Sequence, residues 1–317
     1  MFSLIQKRRY FFLISAALIV PGVIVMLYSI VTTGGPFRLS IDFVGGSIYE
    51  LTFTEAGATE DNIRAAFASV GDDNALIQQI GEPDQYRWSV RSSIQDAETS
   101  TQVLDELSQI APIAPELSRN ESVSATVGQG VTRAAFLAIL VAAAVITLFI
   151  VIAFRQVPNA FRYGICAVAA MLHDVLVVCG VMSLAGLLFG WEADALFLTA
   201  LLTIVGFSIQ DTIVLFDRIR ENIPRYLGEP YETIINRSIL ETIHRSLATQ
   251  LNAFFIMVAI LLFGGESIKQ FIFILFIGLL SGTYSSIFTA VPLLVAWERG
   301  EIPGISGSGL EAATAEV

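Results

Sequence analysis

Six long apolar runs constrain this chain more than any other feature. They lie at about residues 10–32, 134–154, 160–189, 195–216, 239–263 and 268–297. A membrane helix needs ~20 mostly apolar residues, because inside the hydrocarbon core no water satisfies the peptide groups and the helix must do so itself. All six runs reach that length, which predicts an α-helical membrane protein with six transmembrane helices. The first run follows Lys7, Arg8 and Arg9, as in a signal peptide. It exceeds the ~7–15 residues of a signal h-region and has no obvious small-x-small cleavage site, so it is read as a retained anchor.

Basic residues set the expected orientation. Lys7, Arg8, Arg9, Arg155, Arg162, Arg218, Arg220, Arg225, Arg237, Arg245 and Arg299 fall on one side, and the short loops opposite hold only Lys269. Both termini are expected in the cytoplasm, in the inner membrane of a bacterium. The expected division is 1–33 for the N-terminus and first helix, 34–133 for an external domain, 134–300 for five further helices, and 301–317 for a disordered cytoplasmic tail.

Composition agrees with that division. Only 15% of the 317 residues are charged, against ~25% in a soluble domain, and residues 34–133 hold most of the acids. The net charge of −11 argues against nucleic acid as a partner. Cys166 and Cys179 share one apolar run and read as packing residues, not as a disulfide or metal pair. Gly128-Gln129-Gly130 lacks a P-loop lysine, and neither Gly-x-Ser-x-Gly nor His-Glu-x-x-His occurs. No enzyme activity, cofactor or metal is expected.

Within 34–133, residues 46–54 alternate like a strand and 59–70 have helical spacing, with Thr59 as N-cap. Residues 74–80 and 85–91 read as strands around the turn Gly81-Glu82-Pro83-Asp84, 96–110 as a second helix, and 118–127 as a last strand. The order β-α-β-β-α-β predicts a ferredoxin-like α+β domain. Gly45-Gly46, at its entrance, either relaxes a strand start or forms a hinge.

Ionisable groups inside a span are costly and by default mark a functional path. Asp211 lies in the fourth run. Arg245 opens the fifth, with Thr249 and Asn252 at i+4 and i+7 forming one polar stripe. Asp211 and Arg245 are expected at similar depth, which makes them a candidate pair. His173 and Asp174 sit near the middle of the third run and need not touch, since neighbours on a helix point ~100° apart. Gly186/Gly190 and Gly278/Gly282 offer small-residue faces for close helix packing, and the polar sixth helix is a candidate lining near Asp211. Burial favours a neutral carboxylic acid and an arginine nearby favours the anion, so an Asp–Arg pair that forms and separates is able to take up and release a proton.

These residues resemble the SecF family of protein translocase subunits, in the resistance-nodulation-division superfamily. The resemblance rests on Asp42-Phe43-Val44-Gly45-Gly46, on His173-Asp174, on the run from Leu201 to Asn222 containing Gly206-Phe207-Ser208-Ile209-Gln210-Asp211-Thr212, and on Thr242-Ile243-His244-Arg245-Ser246. It implies a heterodimer with SecD, association with the SecYEG channel, with YajC and YidC as further partners, and use of the proton-motive force to promote preprotein translocation. Asp211 and Arg245 match the family's proton-conducting pair, which acts with an acidic residue of SecD. Gln210 stands where the family has asparagine, and Ser246 where it has threonine. The alternative is a half-size proton-coupled exporter of small molecules or lipids. Such proteins carry about twelve spans and two large external loops, whereas this chain has six and one.

Overall fold

The computed structural model describes residues 4–301 apart from 74, 82, 95 and 156–158. The turn at Gly81-Glu82-Pro83-Asp84 is thus only partly within the described residues, and the tail 302–317 lies outside them. The chain divides into two compact units, one of residues 39–136 and one of residues 1–38 with 137–317.

In chain order, a 3-10 turn Ile5–Lys7 leads into α1 (Arg8–Thr33) and a short α2 (Ile41–Val44). Then follow β1 (Gly46–Thr52), α3 (Glu60–Ser69), β2 (Leu76–Ile80), β3 (Arg87–Ser92), α4 (Ala97–Ile110) and β4 (Arg119–Val123). The long helices come next: α5 (Ala125–Ala153), α6 (Ala160–Phe189), α7 (Ala195–Arg225) and α8 (Tyr231–Phe263). The last span is α9 (Glu266–Ser285), a π-helical segment Ser286–Ala290, and α10 (Val291–Glu298).

The smaller unit is a four-stranded sheet in the order β2-β3-β1-β4, antiparallel throughout. Its elements follow the predicted β-α-β-β-α-β order. β3 alternates partly and fully buried residues, so one face of the sheet is covered. Tyr49, Leu51 and Val90 from the sheet meet Ile63 and Phe67 of α3 and Val103 and Leu107 of α4 in a core of fully buried side chains. The Tyr49 hydroxyl, which would otherwise be stranded there, shares a hydrogen bond of 2.7 Å with Ser100 Oγ. Thr59 caps α3 as its sequence predicts, its Oγ1 accepting from Asn62 N at 3.3 Å. The strand expected over 118–127 is shorter, because the chain turns helical at Ala125. Glycine is required where α5 starts: a Cβ on Gly45 would lie 2.6 Å from Ala125 Cα, and one on Gly128 2.7 Å from the Phe43 carbonyl oxygen.

The larger unit holds helices α1 and α6–α10 with the later part of α5. Among the described residues, six helical stretches are long and apolar enough to cross a membrane. α6, α7 and α9 pack on one another, α1 lies on α6, and α8 lies on α7 and α9. Ile150, Phe154, Tyr163, Phe216, Ile235 and Leu294 are among its fully buried apolar side chains. Large apolar residues such as Leu140, Phe149, Phe255 and Phe263 are exposed, as a lipid-facing surface requires. Hydrophobicity does little to hold helices together in lipid, so close backbone approach and polar contacts matter more. The Gly278/Gly282 face is used in this way: Gly278 abuts Ile204 of α7, and a Cβ on Gly282 would lie 3.3 Å from Ser208 Cβ. The Gly186/Gly190 pair is not. Gly190 ends α6 as its left-handed cap, and a Cβ on Gly186 would meet the Trp191 carbonyl oxygen at 3.0 Å. A closer crossing, unforeseen in the sequence, joins α1 to α6, where a Cβ on Gly22 would stand 3.1 Å from Gly180 Cα.

Candidate functional site

α7 starts at Asp194, whose side chain accepts from Phe197 N at 2.7 Å. That cap fixes the register of a 31-residue helix and carries Asp211 to its middle. Asp211 is buried, and its Oδ2 accepts a hydrogen bond from Gln250 Nε2 of α8 at 2.7 Å. Gln250 is one member of a row at four-residue spacing, Ser238, Thr242, Ser246 and Gln250, all of them buried. At ~100° per residue each step of the row turns by only ~40°, and both of its ends meet α7, Ser238 through Asn222 and Gln250 through Asp211.

The sequence pointed instead to Arg245, Thr249 and Asn252. These three residues are exposed, and Thr249 Oγ1 donates to the Arg245 carbonyl oxygen at 3.0 Å. Five residues separate Arg245 from Gln250, which places them ~140° apart around the helix. Equal depth is therefore not enough: with Gln250 aimed at Asp211, Arg245 points away. Gln210 is also exposed, turned by one residue from Asp211.

Asp174 of α6 is surrounded by polar side chains from α6, α7 and α9. Its Oδ2 accepts from Ser208 Oγ of α7 and from Ser285 Oγ of α9, each at 2.6 Å. Its Oδ1 accepts from Ser281 Oγ of α9 at 2.6 Å and lies 3.1 Å from His173 Nδ1. The two neighbours, which helix geometry alone does not bring together, do touch, because the imidazole folds back over the adjacent carboxylate. Both are almost wholly buried, and His173 Nε2 has no hydrogen-bond partner. The polar sixth span thus lines Asp174, not Asp211. The His173 ring stacks on Tyr284, centroids 6.0 Å apart, and the Tyr284 hydroxyl donates to the Phe11 carbonyl oxygen of α1 at 2.7 Å.

The charged residues that end α7 pair locally. Arg220 meets Asp217 at 2.6 Å, and Arg218 meets Glu221 at 2.8 Å and Glu241 of α8 at 2.6 Å. Gly45 and Gly46 both have positive φ, +82° and +121°, so the entrance to β1 is a place where only glycine is free of strain. Among the described residues, no three His, Cys, Asp or Glu side chains group as a metal site would need.

Residues 102–300 match the family model for the protein export membrane protein SecD/SecF, C-terminal, and residues 30–56 match that for the SecD/SecF GG motif. The chain belongs to the SecD/SecF family. The two SecD/SecF matches take in Gly45 and Gly46 in the first stretch and the residues from His173 to Ser285 in the second. The chain is 44% identical over 303 residues to a protein translocase subunit SecF of Anaerolinea thermophila, covering 95% of this chain and 96% of that one. To the protein translocase subunit SecDF of Bacillus subtilis it is 32% identical, over 94% of this chain but 38% of the longer relative. Its structure is similar to a crystal structure of SecDF, a translocon-associated membrane protein, from Thermus thermophilus. The TM-score there is 0.75 at 32% identity, covering 94% of this chain and 39% of the other.

Proposed function

We propose that the chain is the SecF half of a SecD–SecF pair in the bacterial cytoplasmic membrane. In this reading the pair uses the proton-motive force to promote translocation of preproteins through the SecYEG channel. One observation carries it: a buried mid-span carboxylate, Asp211, is held by a neutral amide, while the arginine at its depth faces outward. A carboxylate so placed exchanges a proton at moderate cost, because neither its neutral nor its charged form is locked by a nearby cation. An exposed arginine on a membrane helix wants a polar or acidic cover from another chain. The SecDF relatives supply the candidate. This chain matches about two-fifths of each, leaving a longer part that SecD corresponds to. Moving one charge through the membrane potential yields ~2.3 kcal/mol per 100 mV, enough to bias a two-state element by tens of fold. In the proposed orientation both termini are cytoplasmic and the α/β unit is external, as the distribution of basic residues directs.

The test is Asp211→Asn in inverted vesicles carrying the SecD partner. The variant is expected to assemble at wild-type levels and to lose the stimulation of export by a proton gradient. Full stimulation in the assembled variant would remove Asp211 from the coupling.

A further inference from the structure

The buried cluster around Asp174 has a charge problem that its own residues leave unsolved. Four donors surround the carboxylate, the hydroxyls of Ser208, Ser281 and Ser285 and Nδ1 of His173. That is the environment of an ionised carboxylate, since an anion accepts only. Hydroxyls soften the cost of a buried negative charge but do not cancel it, and the cluster contains no lysine or arginine. α7 offers Ser208 and, three residues on, Asp211, which is held by Gln250 of α8. α9 offers Ser281, Tyr284 and Ser285. α1 has no charged side chain between Arg9 and Arg38, and α5 has none after Arg133.

One atom can supply the missing charge. If Nδ1 carries the hydrogen donated to Asp174, Nε2 is a bare lone pair, and it is buried without a partner. Bare or protonated, a buried ring nitrogen needs a polar partner, which a water in the cluster would supply to either form. A proton on Nε2 turns the imidazole into an imidazolium in contact with the carboxylate, and the cluster becomes neutral overall.

We propose that His173 and Asp174 form a second proton-holding site, in which His173 Nε2 takes up the proton and the serine-clamped Asp174 carboxylate balances it. This rests on the reading of the chain as proton-coupled and extends it from Asp211 to a separate place in the bundle. The step is a simple exchange. A hydronium or water delivers the proton to the Nε2 lone pair, leaves as water or hydroxide, and the reverse step empties the site; no other bond changes. A π-helical segment begins at Ser286, directly after Ser285. Such segments hold a helix in a strained register and gather at functional sites. Filling and emptying the site would tighten and loosen Ser285 just where α9 is easiest to shift.

The chain has two histidines, so a direct readout is available. The full chain with His244→Gln, labelled with ¹⁵N-histidine in lipid nanodiscs, isolates the His173 signal and leaves the cluster intact. On acidification the ring is expected to pass reversibly from the Nδ1–H tautomer to the imidazolium. Adding Asp174→Asn is expected to lower the imidazolium-to-neutral ratio at a given pH by ~10-fold or more, from loss of the adjacent opposite charge. If that variant does not fold, Ser281→Ala with Ser285→Ala provides the second arm. Removing two donors leaves the carboxylate more dependent on His173 and should raise the ratio. A ring that stays one neutral tautomer throughout overturns the proposal, and so does a step indifferent to the cluster substitutions. Neither outcome depends on export, so the Asp211→Asn vesicle assay can fail or succeed independently.

Discussion

Gly278→Ala should loosen the α7–α9 seam by an amount the structure allows to be worked out. The added methyl would overlap Cδ1 and Cγ1 of Ile204 and reach within 3.0 Å of its Cγ2. Carbon atoms rest at ~3.5–4.0 Å, so either the helices part by well over an ångström or Ile204 leaves its rotamer. A β-branched residue on a helix has one strongly preferred χ1, which blocks the cheap escape. Overpacking of this kind costs ~1–3 kcal/mol. The same separation would stretch the bonds that Ser208 and Ser281 make to Asp174, since both lie one turn from the contact. Ile204→Ala alone also destabilises, by ~2–5 kcal/mol in a water-soluble core and near the lower end here, where lipid replaces water as the alternative. It nevertheless removes the obstacle to the methyl at 278. The double variant should therefore be more stable than the sum of the singles implies, by ~0.5–3 kcal/mol. Denaturant titration of the full chain in mixed lipid–detergent micelles measures all four corners of the cycle. A Gly278→Ala variant within ~0.5 kcal/mol of wild type, or singles that simply add, would refute the steric account of this seam.

Arg245→Ala should leave the folded chain as stable as wild type, within ~0.5 kcal/mol for an exposed site, yet depress gradient-dependent export in vesicles. A loss of export that follows misfolding would return Arg245 to a structural role. Glu60→Cys should react with an impermeant thiol reagent from outside intact cells, and Pro230→Cys should not; the reverse pattern would invert the proposed orientation. Glu301, held by Arg8, has its carboxyl below the usual range, chiefly through that hydrogen bond. Its folded value is depressed, so its contribution is present above the ordinary glutamate range and is lost as pH falls through the folded value. Glu301→Gln should accordingly lower the stability slightly at neutral pH, by less than ~1 kcal/mol for a partly exposed pair. The difference should close on acidification, and one that persists in acid would rule out the ion pair as its cause.

The spans were legible because bilayer thickness imposes a minimum length that a run of apolar residues either meets or does not. The strands and helices of the α/β unit were legible through their periods of two and 3.6. Rotation of a helix about its axis was not. Arg245, Thr249 and Asn252 form a stripe as regular as Ser238, Thr242, Ser246 and Gln250, and spacing alone does not tell which stripe turns inward. The second stripe does carry a signal, since its members are small or uncharged, the kind of polar residue that buries at least cost. Ser208 and Ser281 were missed, and the polar sixth helix that carries Ser285 was assigned to Asp211, for a related reason. A serine in a span is an ordinary packing residue until a distant carboxylate is brought to it, and that meeting joins residues more than thirty to a hundred positions from Asp174.

The crossing of α1 over α6 at Gly22 and Gly180 bears on how that attachment answers to temperature. Around it, α1 is held by polar links: Tyr284 to the Phe11 carbonyl oxygen, Ser15 to Thr289 at 3.0 Å, and Arg8 to Glu232 at 2.9 Å. Most of its apolar side chains remain exposed, available to lipid tails whether or not the helix is docked. Little apolar surface is withdrawn from water when it binds, so the step carries almost none of the heat-capacity change that makes soluble cores weaken in the cold. The first helix should therefore hold its place about as firmly on chilling as at growth temperature, while the α/β unit, with its water-excluding core, follows the usual curved stability profile.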